Sequence, residues 1–293
     1  MIIGGIEMGG TKMVCAIGNE FGEVLEQTKF VTRGPKETLK DISDFFKKKN
    51  IQALGIASFG PVDLNKDSLT YGYILETPKT MWRNIDVLGY FKNELNIPIG
   101  FDTDVNAACL GETIYGAGKK YKNVIYGTIG TGIGFGVYLN GELLHGLMHP
   151  EVGHMIIQKH INDTFDGCCP YHKNCLEGFA SGPSIQKRWG KPAEELIDNE
   201  DVTKLEAFYI AQGICNCIMC YSPEKIILGG GVMHNDNLYP LIREEVKKLL
   251  NNYIHKKEIL ENIDTYIVKP ELKDYQGIIG AIELGKQEYL NEQ

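Results

Sequence analysis

The stretch Ile6-Glu7-Met8-Gly9-Gly10-Thr11-Lys12-Met13-Val14-Cys15-Ala16-Ile17 decides how this chain is read. Apolar residues on both sides of Gly9-Gly10-Thr11-Lys12 predict two strands joined by a glycine turn. A second turn, Gly18-Asn19-Glu20-Phe21-Gly22, leads into Glu23-Val24-Leu25. The same order recurs in mid-chain. Gly130-Thr131-Gly132 breaks a strand, Ile133 to Leu139 continues it, and Asn140-Gly141 turns into Glu142-Leu143-Leu144. A unit of this kind, present twice about one domain length apart, predicts two related halves.

Working outward, helices and strands alternate around each copy. Periodicity predicts a helix over Glu37–Lys49, a buried strand over Ala53–Ala57 and a strand over Pro98–Phe101. That last strand runs into Asp102-Thr103-Asp104 and a helix over Val105–Tyr115. Beyond the second copy come a long helix over Val202–Tyr221, a strand over Lys225–Leu228 that enters Gly229-Gly230-Gly231, and helices over Leu238–Asn251 and Gly277–Tyr289. Nothing between them is low-complexity. The change of lobe is expected within 113–122, which gives an N-terminal lobe over 1–115 and a C-terminal lobe over 116–276.

At 293 residues the chain is long enough for two cores, and 43% hydrophobic with 23% charged residues is ordinary for a globular protein. A formal charge of −8 and the lack of a basic run with interleaved aromatics argue against a nucleic-acid surface. Lys47-Lys48-Lys49 reads as the end of a helix, where cations meet the negative end of the dipole. No basic leader precedes an apolar stretch and no segment has the length to span a bilayer, so a cytoplasmic protein is expected. Of eight cysteines, Cys15, Cys109, Cys215, Cys217 and Cys220 sit in apolar segments and are expected to pack as small hydrophobes.

Glycine turns suit phosphate because backbone N–H groups converge where no side chain blocks approach. Neither turn is a Walker A loop: Gly5 to Lys12 ends Gly-Thr-Lys where that motif needs Gly-Lys-Ser/Thr. Neither has the dinucleotide pattern. A single turn of this type is most often just a tight turn, but two in matching positions of a duplicated unit suggest a grip on one polyphosphate.

Ile6 to Lys12, Gly130-Thr131-Gly132-Ile133-Gly134 and Leu228-Gly229-Gly230-Gly231-Val232 resemble the two phosphate motifs and the adenosine motif of the actin/hexokinase/Hsp70 superfamily. With Asp102-Thr103-Asp104-Val105-Asn106-Ala107-Ala108 and Pro150-Glu151-Val152-Gly153-His154, the chain resembles the ROK family of repressors and sugar kinases over nearly its whole length. That resemblance implies an α/β fold of two duplicated ribonuclease-H-like lobes with an active-site cleft between them. The C-terminal helix, about 277–293, is expected to pack back on the N-terminal lobe. ATP and Mg2+ would be held by Glu7, Gly9, Gly10, Thr11, Lys12, Gly130, Thr131, Gly132, Gly229, Gly230 and Gly231. Glu7 stands where many members carry Asp. A homodimer is a family expectation.

Phosphoryl transfer to an alcohol needs an oriented hydroxyl and a group to take its proton. Asp102 and Asp104 both suit by type, and either could equally be a helix N-cap. The resemblance selects Asp104 as general base. It places a sugar contact at Thr103, where the family often has Asn, and puts Gly60, in Ser58-Phe59-Gly60-Pro61, beside the sugar. Thr77-Pro78-Lys79-Thr80-Met81-Trp82 resembles a family stretch near the cleft but stays outside the expected site.

Cys169-x-x-His172-x-x-Cys175 has the donor types and spacing for one loop to wrap a zinc ion, with His154 as fourth ligand and Cys168 a spare that competes with Cys169. A Cys169–Cys175 disulfide is disfavoured in a reducing compartment. Four protein ligands make a closed, structural Zn2+ site across 154–177. Such a site would hold Glu151, His154 and Glu177 toward the sugar. The loop and Glu7 resemble the fructokinase-like branch, which implies transfer of the ATP γ-phosphate to fructose, with glucose, mannose and N-acetylmannosamine as alternatives. A non-catalytic sugar sensor and a repressor are the competing classes. The repressor would need an N-terminal helix-turn-helix, for which the strand starting at Ile2 leaves no room.

Overall fold

The computed structural model describes residues Met1–Gln293. The chain divides into two compact units. One holds Met1–Lys119, Leu143–Pro150 and Glu271–Gln293, and the other holds Lys120–Glu142 and Glu151–Pro270.

The first unit is built on β1 (Ile2–Met8), β2 (Lys12–Asn19), β3 (Val24–Val31), β4 (Ala53–Ser58) and β5 (Ile99–Thr103), in the sheet order β3-β2-β1-β4-β5. The glycine turn makes β1 and β2 antiparallel, whereas β4 and β5 join in parallel after crossovers. Period two sorts β1 onto two faces. Gly4 abuts Phe46 of helix α1 (Pro35–Phe46), and Gly5 abuts Ile278 and Ile282 of the C-terminal helix Gln276–Asn291. Glu7 shares the second face and meets Gly277, where an added Cβ would lie 2.7 Å from its carboxyl carbon. Ile6, Met8, Leu54 and Phe91 fill the core on the opposite face.

The second sheet repeats this plan with β6 (Val124–Ile129), β7 (Ile133–Leu139), β8 (Glu142–Leu143), β9 (Lys225–Gly229) and β10 (Ile267–Val268), in the order β8-β7-β6-β9-β10. The first hairpin is again antiparallel and β9 and β10 again join in parallel. The sequence repeat is thus a repeat of topology. A 22-residue helix, Glu200–Tyr221, starts at Asn199, whose side chain caps Asp201 and Val202. No helix is long and apolar enough to cross a membrane.

Two local expectations need correction. Cys220 is exposed, because it follows the buried pair Cys217 and Ile218 onto the solvent face of its helix with Asn216 and Met219. Helix α1 stops at Phe46, so the lysine run lies beyond it, with Lys47 paired to Glu94 and Lys49 to Glu26.

Candidate active site

In the first unit the Asp-Thr-Asp sequence separates into three roles. Asp102, 2% exposed, is fully engaged. Its Oδ1 accepts from Thr103 N and from Asn106 Nδ2, both at 2.7 Å, and its Oδ2 lies 2.8 Å from His145 Nε2. Thr103 is the N-cap of α2 (Asp104–Tyr115), its hydroxyl accepting from Asn106 N at 3.1 Å. Thr103, expected to contact the sugar, is buried, and its hydroxyl is engaged in the cap. Asp104 is half-buried, and one oxygen takes the Val105 N–H at 2.8 Å. Of the two aspartates, Asp104 is therefore the one with acceptor capacity to spare.

Near Asp104 stand the Glu7 carboxylate and the Lys79 ammonium, with the Lys12 ammonium near Glu7. Burial pushes the Asp104 carboxyl up to about 6, while the Val105 N–H and the Lys79 charge pull it down. Burial, then the Asp104 charge, push Glu7 up to about 7; Lys12 opposes this and Asp274 adds to it. The first glycine turn is closed by Gly9 N donating to Lys12 O at 3.1 Å, and Thr32 Oγ1 donates to Gly9 O at 2.8 Å. Gly10, Thr11 and Lys12 face solvent. Gly60 lies beside His149, whose Nε2 accepts from Val62 N at 3.2 Å. Burial holds that imidazole below its ordinary value, which suits an accepting nitrogen.

The second unit assembles a shelf of backbone. Gly130 N donates to Gly132 O at 2.9 Å, and Gly182 N donates to Gly130 O at 2.8 Å. A Cβ on Gly130 would lie 3.6 Å from Gly231 N, so the second turn and the Gly229-Gly230-Gly231 run meet. Gly230 has φ +93°, a conformation natural to glycine. Gly229 is buried against Tyr126 and Pro270, whereas Thr131, Gly132 and Gly231 are exposed. Helix Gly182–Trp189 begins at this shelf.

Beside the shelf, His154, Cys169, His172 and Cys175 bring one donor atom each within 4.8 Å of one another. His154 Nδ1 lies 3.7 Å from Cys169 Sγ and 3.6 Å from Cys175 Sγ, and His172 Nδ1 lies 3.8 Å from Cys169 Sγ. Zinc bonds of about 2.3 Å to sulfur and 2.0 Å to nitrogen, opened to a tetrahedral angle, set such atoms about 3.6 Å apart. The donor set fits that ion. Cys168 is outside the set, its sulfur 3.1 Å from Ser184 Oγ. Glu177 Oε2 accepts from Ile133 N at 2.9 Å, and Oε1 lies 4.0 Å from His154 Nε2. Glu151 is exposed at the start of the turn that carries His154.

The ROK family model matches residues 3–288. The chain belongs to the ROK family. Among its ROK relatives are fructokinases of Pediococcus pentosaceus (42% identical, 98% of each chain covered) and Zymomonas mobilis (41% identical, 97% of this chain and 96% of the relative). A ROK hexokinase structure from Thermus thermophilus superposes with a TM-score of 0.82 at 22% identity, covering 99% of this chain and 100% of that one. The fold is therefore that of ROK sugar kinases, of the actin-like ATPase class. Among the residues of this ROK chain that sequence reasoning did not single out are Lys79, His145 and Gly182. His145 and Gly182 have no motif of their own, and Lys79 lay in a recognised stretch whose chemistry only packing reveals.

Proposed function

We propose that this ROK protein is an ATP-dependent fructokinase that transfers the γ-phosphoryl group of ATP to the 6-hydroxyl of fructose. Near full-length similarity at 41–43% identity to several proteins named fructokinase supports this reading. Asp104 takes the proton of the attacking hydroxyl. A carboxyl poised near 6 is ionised at neutral pH yet basic enough to accept a proton as the O–P bond forms. Gly60, Glu151, His154 and Glu177 contribute to sugar binding. The turns Gly9–Lys12 and Gly130–Gly132, with Gly229–Gly231, hold the nucleotide through backbone N–H groups.

Glu7, with Asp274 and Asp104 near it, forms a group of carboxylates whose mutual repulsion suits a divalent cation. Glu7 would hold the hydration shell of a magnesium ion brought in with the nucleotide, which would supply neutralisation of phosphate charge. Zinc on His154, Cys169, His172 and Cys175 is structural, since four protein ligands leave no open position. A cytoplasmic homodimer belongs to the same reading.

A coupled assay of ADP release, run with Mg2+ across fructose, glucose, mannose and N-acetylmannosamine, tests this. Fructose is expected to give the highest kcat/KM. Preference for another hexose would overturn the substrate, and silence with every sugar would overturn the kinase.

A further inference from the structure

Lys79 lies in the first unit, in a loop fixed on both sides. Arg83 Nε donates to Thr77 O at 2.7 Å, and Trp82 N donates to Lys79 O at 2.8 Å. Trp82, 2% exposed, meets Phe59 edge-on at 5.8 Å. The Lys79 ammonium sits over the face of that same Phe59 ring, 3.8 Å from its centroid. Its stem lines the first glycine turn, for a Cβ on Gly10 would stand 2.7 Å from Lys79 Cε and 3.5 Å from Nζ. Asp104 and Lys79 feel one another's charge, yet no carboxylate oxygen comes within ion-pair distance, 4.0 Å, of the ammonium. Nor does any hydrogen bond engage it. Some other lysines of this chain pair with carboxylates, as Lys49 does with Glu26 and Lys204 with Glu200.

A half-buried ammonium without a hydrogen-bonded protein acceptor, held between a base and a glycine turn, is placed to receive an anionic ligand. The aromatic face occupies one side of the group, and the glycine turn and Asp104 lie near it. We propose that Lys79 is a catalytic residue whose ammonium binds the phosphoryl group during transfer and then the phosphate of the sugar-phosphate product. This rests on the kinase reading above. In the step it serves, the sugar oxygen forms a bond to phosphorus as the bond from phosphorus to the β,γ-bridging oxygen breaks. The electron pair stays on ADP, the hydroxyl proton goes to Asp104, and Lys79 keeps its own protons throughout. A point charge on the equatorial oxygens stabilises the moving phosphoryl group more than it stabilises a neutral sugar.

Lys79→Met keeps the stem against Phe59 and Gly10 and removes the charge. Its kcat should fall by about 100- to 1,000-fold, the range seen when one preorganised electrostatic donor is lost. Fructose binding, measured by calorimetry, should change by less than about 3-fold, because a transition-state contact is lost rather than uniform binding. Inhibition by fructose 6-phosphate should weaken by about 10-fold or more, as expected for one charged hydrogen bond. Wild-type protein gives a readout independent of the variant's folding. Fructose 6-phosphate should protect Lys79 from acylation by an N-hydroxysuccinimide ester, mapped by mass spectrometry, and fructose should not. A Lys79→Met protein with wild-type kcat, equal loss of sugar and product binding, or no product protection overturns the inference while an active wild type leaves the kinase reading standing. A wild type that releases no ADP with any hexose removes both.

Discussion

Glu177 lies between the Cys/His cluster and the second glycine turn, with Oε2 on Ile133 N at 2.9 Å and Oε1 4.0 Å from His154 Nε2. His154 faces the two sulfurs through Nδ1 and Glu177 through Nε2, so the imidazole stands between them and the carboxylate that braces Gly132 and Ile133. If zinc fills the cluster as proposed, its loss should reach the second glycine turn, the proposed nucleotide site, as well as the sugar side. Chelation is expected to raise KM for ATP and lower activity by about 10- to 100-fold, the cost typical of disturbing a metal's outer partners. Metal analysis should find one zinc per chain. Cys169→Ser should lose it and Cys168→Ser should keep it, since the Cys168 sulfur is directed to Ser184. A chelated protein with an unchanged KM for ATP would contradict the coupling.

Asp104→Asn tests function against stability. Activity should fall by about 100- to 10,000-fold, the contribution of a positioned base, with fructose affinity nearly unchanged. The folded-state carboxyl titrates at about 6 against an ordinary 3.8, so ionising it costs the folded protein stability at neutral pH. The cost is absent below the unfolded value, grows as pH rises through the folded one, and is complete above it. Asn should therefore stabilise by about 1–3 kcal/mol at pH 7 and by nothing at pH 3.5. Urea titrations at the two pH values check this.

Glu7, held up to about 7, carries a proton for part of the time at neutral pH. A divalent cation brought in with nucleotide favours the ionised form and should expel that proton. Binding enthalpies for Mg-ADP at pH 6.5 are expected to depend on the ionisation heat of the buffer. That dependence should vanish in Glu7→Gln.

The Asp102–His145 pair has the opposite pH signature. The hydrogen bond to Asp102 holds the His145 imidazolium above its ordinary value. Its stabilising share is complete below about 6.5, the unfolded value, and is lost as pH rises through the folded midpoint. His145→Ala leaves Asp102 Oδ2 buried without its partner and should cost about 1–3 kcal/mol at pH 6. Thermal melts across pH 5–8 read both the loss and its decline with pH.

Much of this was legible in one dimension because the information is local. The hairpin turns at Gly9–Lys12 and Gly130–Gly132 lie between the strands they join, and the duplicated order appears as identical strand order in both sheets. The Cys/His donors other than His154 span seven residues, so one loop suffices to gather them. Other assignments depended on partners far along the chain. Which of Asp102 and Asp104 stays available was decided by His145, 43 residues on, and that histidine lies in Leu143–Pro150, which packs with the first unit although it follows the strands of the second. Thr103 became a cap because helix α2 starts one residue after it.

By itself the sequence determined the family, the paired glycine turns and the Cys/His donor set, because turn conformation and short-loop chelation depend on residues adjacent in the chain. Only the tertiary structure decided which carboxylate is left with a free oxygen, where the Lys79 charge rests and how Glu177 stands between the Cys/His cluster and the turn. Burial, charge proximity and hydrogen-bond satisfaction are properties of groups that meet after folding, and spacing along the chain carries no measure of them.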